Sequence, residues 1–405
     1  MSNFAFGTYR VTDLNPQHIE ALKEALYGGV RLIDTATNYM DGGAERAIAH
    51  VMNTLPYEIR DEIEIVSKFG YIQGTLLAKH KQNPFEDVVQ HSESCYHSIA
   101  KSFLHNQLDE TLGRLELEKI GCYLIHNPEY FLYECINKKM DKEDMLDKMY
   151  ARIYEAFTGL EEEVQQGRIG SYGISSNSFA LSSSAVDFLP YEDLLTLAQN
   201  AAIEVGNKTH SFTTIQLPIN ILETQGLQCA QWAKANGLRV LVNRPLSGQK
   251  DGLLYRLAEY DEPHNYYHAL NELLDICNTD KLKKLYTIVE QMDLNKHKYG
   301  WIGDYDTFLY GQILPHMQET LQQYNDETLE LLLQYIDNFL DEYRKMVQYE
   351  CSKMTRTALK QELQGCQKKI QLCALEYLKQ QNVIDTILVG MRKPTYVSEV
   401  LSLNR

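Results

Sequence analysis

The chain has 405 residues, of which 44% are hydrophobic and 23% charged, enough to bury a large core in one or at most two compact units. Its formal charge of −16 opposes binding to nucleic acid or an anionic membrane, since both draw on clustered Lys and Arg. The opening MSNFAFGTYR has no basic stretch leading into an apolar one, and no run nears the roughly 18 apolar residues of a membrane span. A cytoplasmic protein is expected. The eight cysteines are scattered without a CxxC pair, which predicts reduced, mostly buried thiols and neither a zinc nor a redox site.

In chain order, short apolar runs alternate with segments of helical spacing. Strand Phe4–Phe6 precedes a helix over 17–28 that Asn15-Pro16 opens and Gly28-Gly29 ends. Strand Arg31–Asp34 leads to a helix over 43–53, Glu64–Ser67 to one over 93–115, and Cys122–Ile125 to one over 149–167. Ser171–Ile174, Thr214–Leu217 and Arg239–Val242 follow, the first two ahead of helices over 189–204 and 225–236, before a last helix over 367–381 and strand Thr386–Val389. Eight such strands predict a closed (β/α)8 TIM barrel, and no GxGxxG follows the first one to suggest an open dinucleotide-binding sheet.

The alternation fails between the seventh strand and the last helix. The barrel is expected to comprise 1–248 and 367–405, and residues 249–366 a mainly helical insertion without strands. Its clearest helix, from about Asp326 to Glu350, aligns Leu329, Leu332, Leu333, Ile336, Phe339, Leu340, Tyr343 and Val347 on one apolar face. The insertion leaves strand seven on the barrel's carboxyl side, which predicts a lid over the mouth; an exposed apolar face would instead mark a protein-docking surface. His264 and His268 lack a third ligand, so no metal is expected.

Residues at the carboxyl ends of barrel strands converge on one face. Asp34 ends strand two, Tyr39 lies in the loop after it, Lys68 ends strand three and His126 ends strand four. An ammonium beside a phenol favours phenolate and lowers its pKa, while a carboxylate holds the ammonium protonated. The four therefore suit a general acid.

At these residues the sequence resembles the aldo-keto reductase superfamily, in FGTYR, LIDTATNY with its D-x-x-x-x-Y spacing, KFGY, LIHNPE and GRIGSYGISSN. The resemblance implies reduction of a small-molecule aldehyde or ketone, with Asp34, Tyr39, Lys68 and His126 catalytic. It implies NADPH as cofactor, with NADH the poorer fit. Thr8 and Tyr9 fall in the matching first-strand motif, Ser175 with Ser176 or Asn177, and Gln216, at the nicotinamide carboxamide, and Arg244, Pro245, Leu246 and Gly248 at the pyrophosphate. Gly390, Arg392 and Lys393 in VGMRKPTYVSE match the segment that holds the adenosine 2′-phosphate. Asn243, Met391 and Val400 depart from the common pattern, at the places of a stacking aromatic, a serine and an asparagine. The same barrel also accommodates a redox-sensing regulatory protein, or a platform whose insertion docks a protein partner.

Overall fold

The computed structural model describes residues 3–321 and 327–404. The chain begins with β1 (Phe4–Gly7), α1 (Pro16–Tyr27), β2 (Leu32–Asp34), α2 (Gly43–Met52), α3 (Tyr57–Arg60) and β3 (Glu64–Phe69). An excursion of β4 (Tyr71–Ile72), α4 (Gly74–Gln82), β5 (Val89–Ser92) and β6 (Cys95–His97) precedes α5 (Lys101–Leu115). Then come β7 (Ile120–His126), α6 (Tyr130–Asn137), α7 (Lys142–Gln165), β8 (Ile169–Ser175), α8 (Leu194–Val205), β9 (Phe212–Pro218), α9 (Leu227–Ala235) and β10 (Arg239–Asn243). After a hairpin, β11 (Ser247–Lys250) and β12 (Leu253–Arg256), run α10 (Tyr266–Cys277), α11 (Lys283–Asn295), α12 (Ile302–Phe308), α13 (Leu314–Leu321) and α14 (Glu327–Ala358). The chain ends with α15 (Ile370–Lys379), β13 (Thr386–Val389) and α16 (Pro394–Leu401).

Eight strands close a barrel in the order β1-β13-β10-β9-β8-β7-β3-β2, each pair parallel. All eight expected strands are present, because a strand buried on both faces must be a continuous apolar run. Ala5, Val66, Cys122, Leu124, Leu241 and Leu388 pack together in the barrel. Register sets the site: His126 pairs with Ser175 and Ser175 with Gln216, so three polar side chains end level on neighbouring strands.

Two compact units divide the chain, Met1–Pro245 with Leu375–Arg405, and Leu246–Ala374. The second therefore starts three residues earlier and ends eight later than the insertion expected from sequence. In it Tyr266, Leu273, Tyr305, Phe339 and Tyr343 share a core. The apolar face of α14 buries Leu332, Ile336, Phe339, Tyr343 and Val347 in that core, while Leu333 stays exposed. The partner that face required lies within its own unit. Asp326, where that helix was expected to start, lies outside the described residues.

Three expectations are corrected. Residues 95–97 form β6 and not helix, in an antiparallel sheet ordered β4-β6-β5. The region after strand seven is not free of strands: Asp251 and Gly252, both at positive φ, make the two-residue turn that a tight hairpin needs between β11 and β12. The thiols are not all reduced, for Cys366 and Cys373 form a disulfide, while Cys95, Cys122, Cys135, Cys229, Cys277 and Cys351 are free and buried. No helix among the described residues is long and apolar enough to cross a membrane.

Gly173 is where the barrel tolerates no side chain: a Cβ there would meet the Thr214 carbonyl oxygen at 1.9 Å and a Leu124 methyl at 2.9 Å. Gly173→Ala is expected to lower stability by about 2 kcal/mol or more, since backbone cannot yield as a side-chain tip does. Urea unfolding monitored by circular dichroism measures it, and an unchanged midpoint would contradict this packing.

Candidate active site

The strand ends bring the four sequence-predicted residues together. Lys68, fully buried on β3, donates from Nζ to Asp34 Oδ2 at 2.8 Å, to the Thr35 carbonyl at 2.8 Å and to Tyr39 Oη at 3.2 Å. All three ammonium protons are thereby used, as a buried cation requires. The second Asp34 oxygen accepts from Gln216 Nε2 at 2.7 Å, and Gln216 Oε1 accepts from Ser175 Oγ at 2.8 Å. His126 closes the group, its ring 6.0 Å from that of Tyr39 and 4.7 Å from that of Tyr71, edge-on to both.

Burial works to lower the pKa of Lys68, but the Asp34 charge, then Tyr39, outweighs it and the ammonium is held above its ordinary value. Tyr39 differs from expectation. Burial pushes its phenol above 10, with the Asp34 charge adding to that, and the Lys68 ammonium offsets only part of the rise. His126 is driven well below 6.5 by burial, then by Lys68 and His97, so it is neutral at physiological pH.

The chain matches the aldo/keto reductase family over residues 3–404. It belongs to that family. No curated protein matches it significantly. Among solved structures, an aldo/keto reductase from Klebsiella pneumoniae in complex with NADP and acetate aligns at 19% identity and a TM-score of 0.38, covering 60% of this chain and 64% of that one. The chain thus spans less than two thirds of that protein's length. The glycerol dehydrogenase from Gluconobacter oxydans aligns at 16% identity and a TM-score of 0.48, over 99% of this chain and 86% of that one. An aldo-keto reductase from Bacillus halodurans in its holo form aligns at 19% and 0.39, over 72% and 78%.

The family implies a nicotinamide cofactor, and the residues fit one. Asn243 Oδ1 is buried without a partner, beside Gln216, whose Oε1 its Nδ2 approaches at 3.5 Å. That is an acceptor suited to a carboxamide N–H. Of the pair left open by the sequence, Ser176 is fully buried with its hydroxyl donated to Glu129 Oε2 at 2.8 Å, whereas Asn177 is partly exposed. Lys393 caps α16, and Arg392 lies near enough for its charge to act on His18; two cations at a helix start suit a phosphate. Gly390 precedes them, exposed.

Other predicted residues are engaged differently. Thr8 is buried and donates its hydroxyl to the Asp34 carbonyl at 2.9 Å. Tyr9 is 65% exposed with its ring edge-on to Tyr39 at 5.3 Å. Arg244, at positive φ, reaches Glu223 at 3.4 Å, and Pro245 beside it is buried. Leu246 and Gly248 belong to the second unit, where the Leu246 carbonyl accepts from Leu257 and Arg256 and Gly248 pairs with Tyr255.

Sequence reasoning missed a layer behind His126. Asn127, in the left-handed region at φ 53°, donates its amide to Tyr71 Oη at 2.6 Å, and Tyr71 donates in turn to Tyr130 Oη at 3.2 Å. His97, fully buried, lies with Nε2 2.7 Å from the His126 carbonyl. Only the run HNPE directly after a strand end pointed there, since asparagine accepts positive φ.

Burial holds His97 down to about 4 against its ordinary 6.5. The unfolded chain therefore binds a proton near pH 6.5 that the folded chain refuses until about 4. The His97 contribution to stability is full above 6.5, falls as pH drops through this window, and loses roughly 3 kcal/mol at about 1.4 kcal/mol per pH unit. His97→Gln, which keeps a donor for the His126 carbonyl, should flatten that part of the profile in denaturant titrations; an unchanged slope would count against it.

Proposed function

We propose that the protein is an NADPH-dependent oxidoreductase that reduces an aldehyde or ketone to an alcohol, with Tyr39 as general acid. The observation that carries this reading is the Asp34–Lys68–Tyr39 contact, a fully buried ammonium 3.2 Å from a phenol oxygen. Bound NADPH would supply the hydride. Tyr39, held above its ordinary pKa, keeps its proton at rest and passes it from Oη to the carbonyl oxygen of the substrate. Lys68 stabilises the phenolate left behind, which is when its charge matters most. Asp34 keeps Lys68 charged and aimed, and neutral His126 offers the carbonyl oxygen a hydrogen bond. Asn177, Gln216 and Ser175 hold the carboxamide, with Asn243 Oδ1 accepting from its N–H, Arg244 and Pro245 hold the pyrophosphate, and Arg392 with Lys393 the 2′-phosphate.

Tyr39→Phe is expected to slow carbonyl reduction by at least about a hundredfold, the lower range for general acid catalysis, with NADPH binding retained. Steady-state assays over a panel of aldehydes, ketones and aldoses, with NADPH fluorescence alongside, test both halves. Near-wild-type turnover would remove Tyr39 from the role.

Replacing Arg392 and Lys393 together with alanine should weaken NADPH far more than NADH, because only NADPH presents a 2′-phosphate to those charges. Dissociation constants for both cofactors decide it. Equal losses would place the two side chains elsewhere on the dinucleotide.

A further inference from the structure

Glu129 is a buried acid that the mechanism leaves unused. It lies on the turn between β7 and α6, three residues after His126, and is 1% exposed. Its Oε2 accepts from the Ser176 hydroxyl at 2.8 Å and its Oε1 from the Asn177 backbone N–H at 2.9 Å. The Asn127 N–H also reaches across to the Ser175 carbonyl at 2.7 Å. The carboxylate thus bridges the segment that carries His126 and the segment that follows β8, and every donor it meets there is neutral.

We propose that Glu129 is a positioning residue for cofactor binding: through Ser176 and the Asn177 N–H, its ionised carboxylate holds the Ser175–Asn177 segment in the conformation that receives the nicotinamide carboxamide. This rests on the cofactor reading above. The ionised carboxylate accepts charge-assisted hydrogen bonds at both oxygens, whereas the protonated acid keeps only neutral ones, with the Ser176 hydroxyl turned from donor to acceptor. Protonation therefore weakens the clamp at both oxygens. Burial pushes the carboxyl up to about 7, with the hydrogen bonds from Ser176 and the Asn177 and Ser178 backbone opposing it, so the weakening falls at neutral pH. The titratable groups that face it are Tyr71 from β4 and Tyr130 and Tyr133 from α6, all held above the ordinary tyrosine value chiefly by burial and so neutral across this range.

NADPH affinity, read by fluorescence titration from acid to alkaline pH, tests the clamp in the wild type, Glu129→Gln and Ser176→Ala. Exchanging those charge-assisted hydrogen bonds for neutral ones should weaken wild-type binding about tenfold between about pH 8 and about pH 6. Glu129→Gln should bind weakly throughout, without that step; the cofactor's own 2′-phosphate titrates in both proteins and cancels in the comparison. Ser176→Ala removes a donor that opposes the rise, so its step should move to higher pH. A role in folding alone would not shift a midpoint. Parallel wild-type and Glu129→Gln profiles would overturn the clamp and leave the cofactor reading standing, and no NADPH binding by the wild type at any pH would overturn both.

Discussion

A positive charge sits fully buried inside this barrel, and the polar architecture at the strand ends answers to that constraint. An ammonium moved from water into protein loses several kcal/mol that only close, well-aimed partners return. Lys68 has three protons and finds three acceptors, Asp34, the Thr35 carbonyl and Tyr39. Asp34 has then an oxygen to spare, which takes Gln216, which takes Ser175. One charge thereby ties β2, β3, β8 and β9 into a single hydrogen-bonded chain, and the side chains that satisfy it are those that the proposed chemistry uses.

That chain depends on register, which is why so much of the fold was legible in the sequence. A strand covered on both faces must be an apolar run, and a polar residue that breaks the run at its carboxyl end announces the rim of the barrel. Asp34, Lys68 and His126 each do so, and Tyr39 follows Asp34 at a fixed distance. What escaped was chemistry without a periodic signature. The β4-β6-β5 sheet is built from segments such as Val89–Ser92, of which only Val89 is buried, so it lacks the apolar alternation by which strands are read. The hairpin strand Ser247–Lys250 is as polar, and only the Asp251-Gly252 turn betrays it. Two cysteines seven residues apart carry no local pattern at all, since pairing depends on where the chain brings them.

The second unit shows the same division between pattern and partner. Leu332, Ile336, Phe339, Tyr343 and Val347 are spaced so that one face of α14 must be covered, and that much follows from a period of 3.6. Which surface covers it does not. Here the cover includes Tyr266 and Leu273 of α10 and Tyr305 of α12, residues that share no local spacing with it. The exposed Leu333 marks how far the apolar stripe overran the face in use.

Tyr39 exposes the limit of reading electrostatics from residue types. A lysine beside a tyrosine argues for an acidified phenol, and the attraction is present, yet burial is the larger influence and leaves the phenol above 10. The distinction changes how the proposed catalysis would work. An acid whose pKa had already fallen to neutrality would be half ionised before substrate arrived, and the half without its proton would be idle. An acid kept neutral by burial stays fully loaded, and the stabilisation that Lys68 can offer is held back until the proton begins to leave. Charge placed where it strengthens the transition state more than the resting state raises the rate; the same ammonium acting equally on both would not.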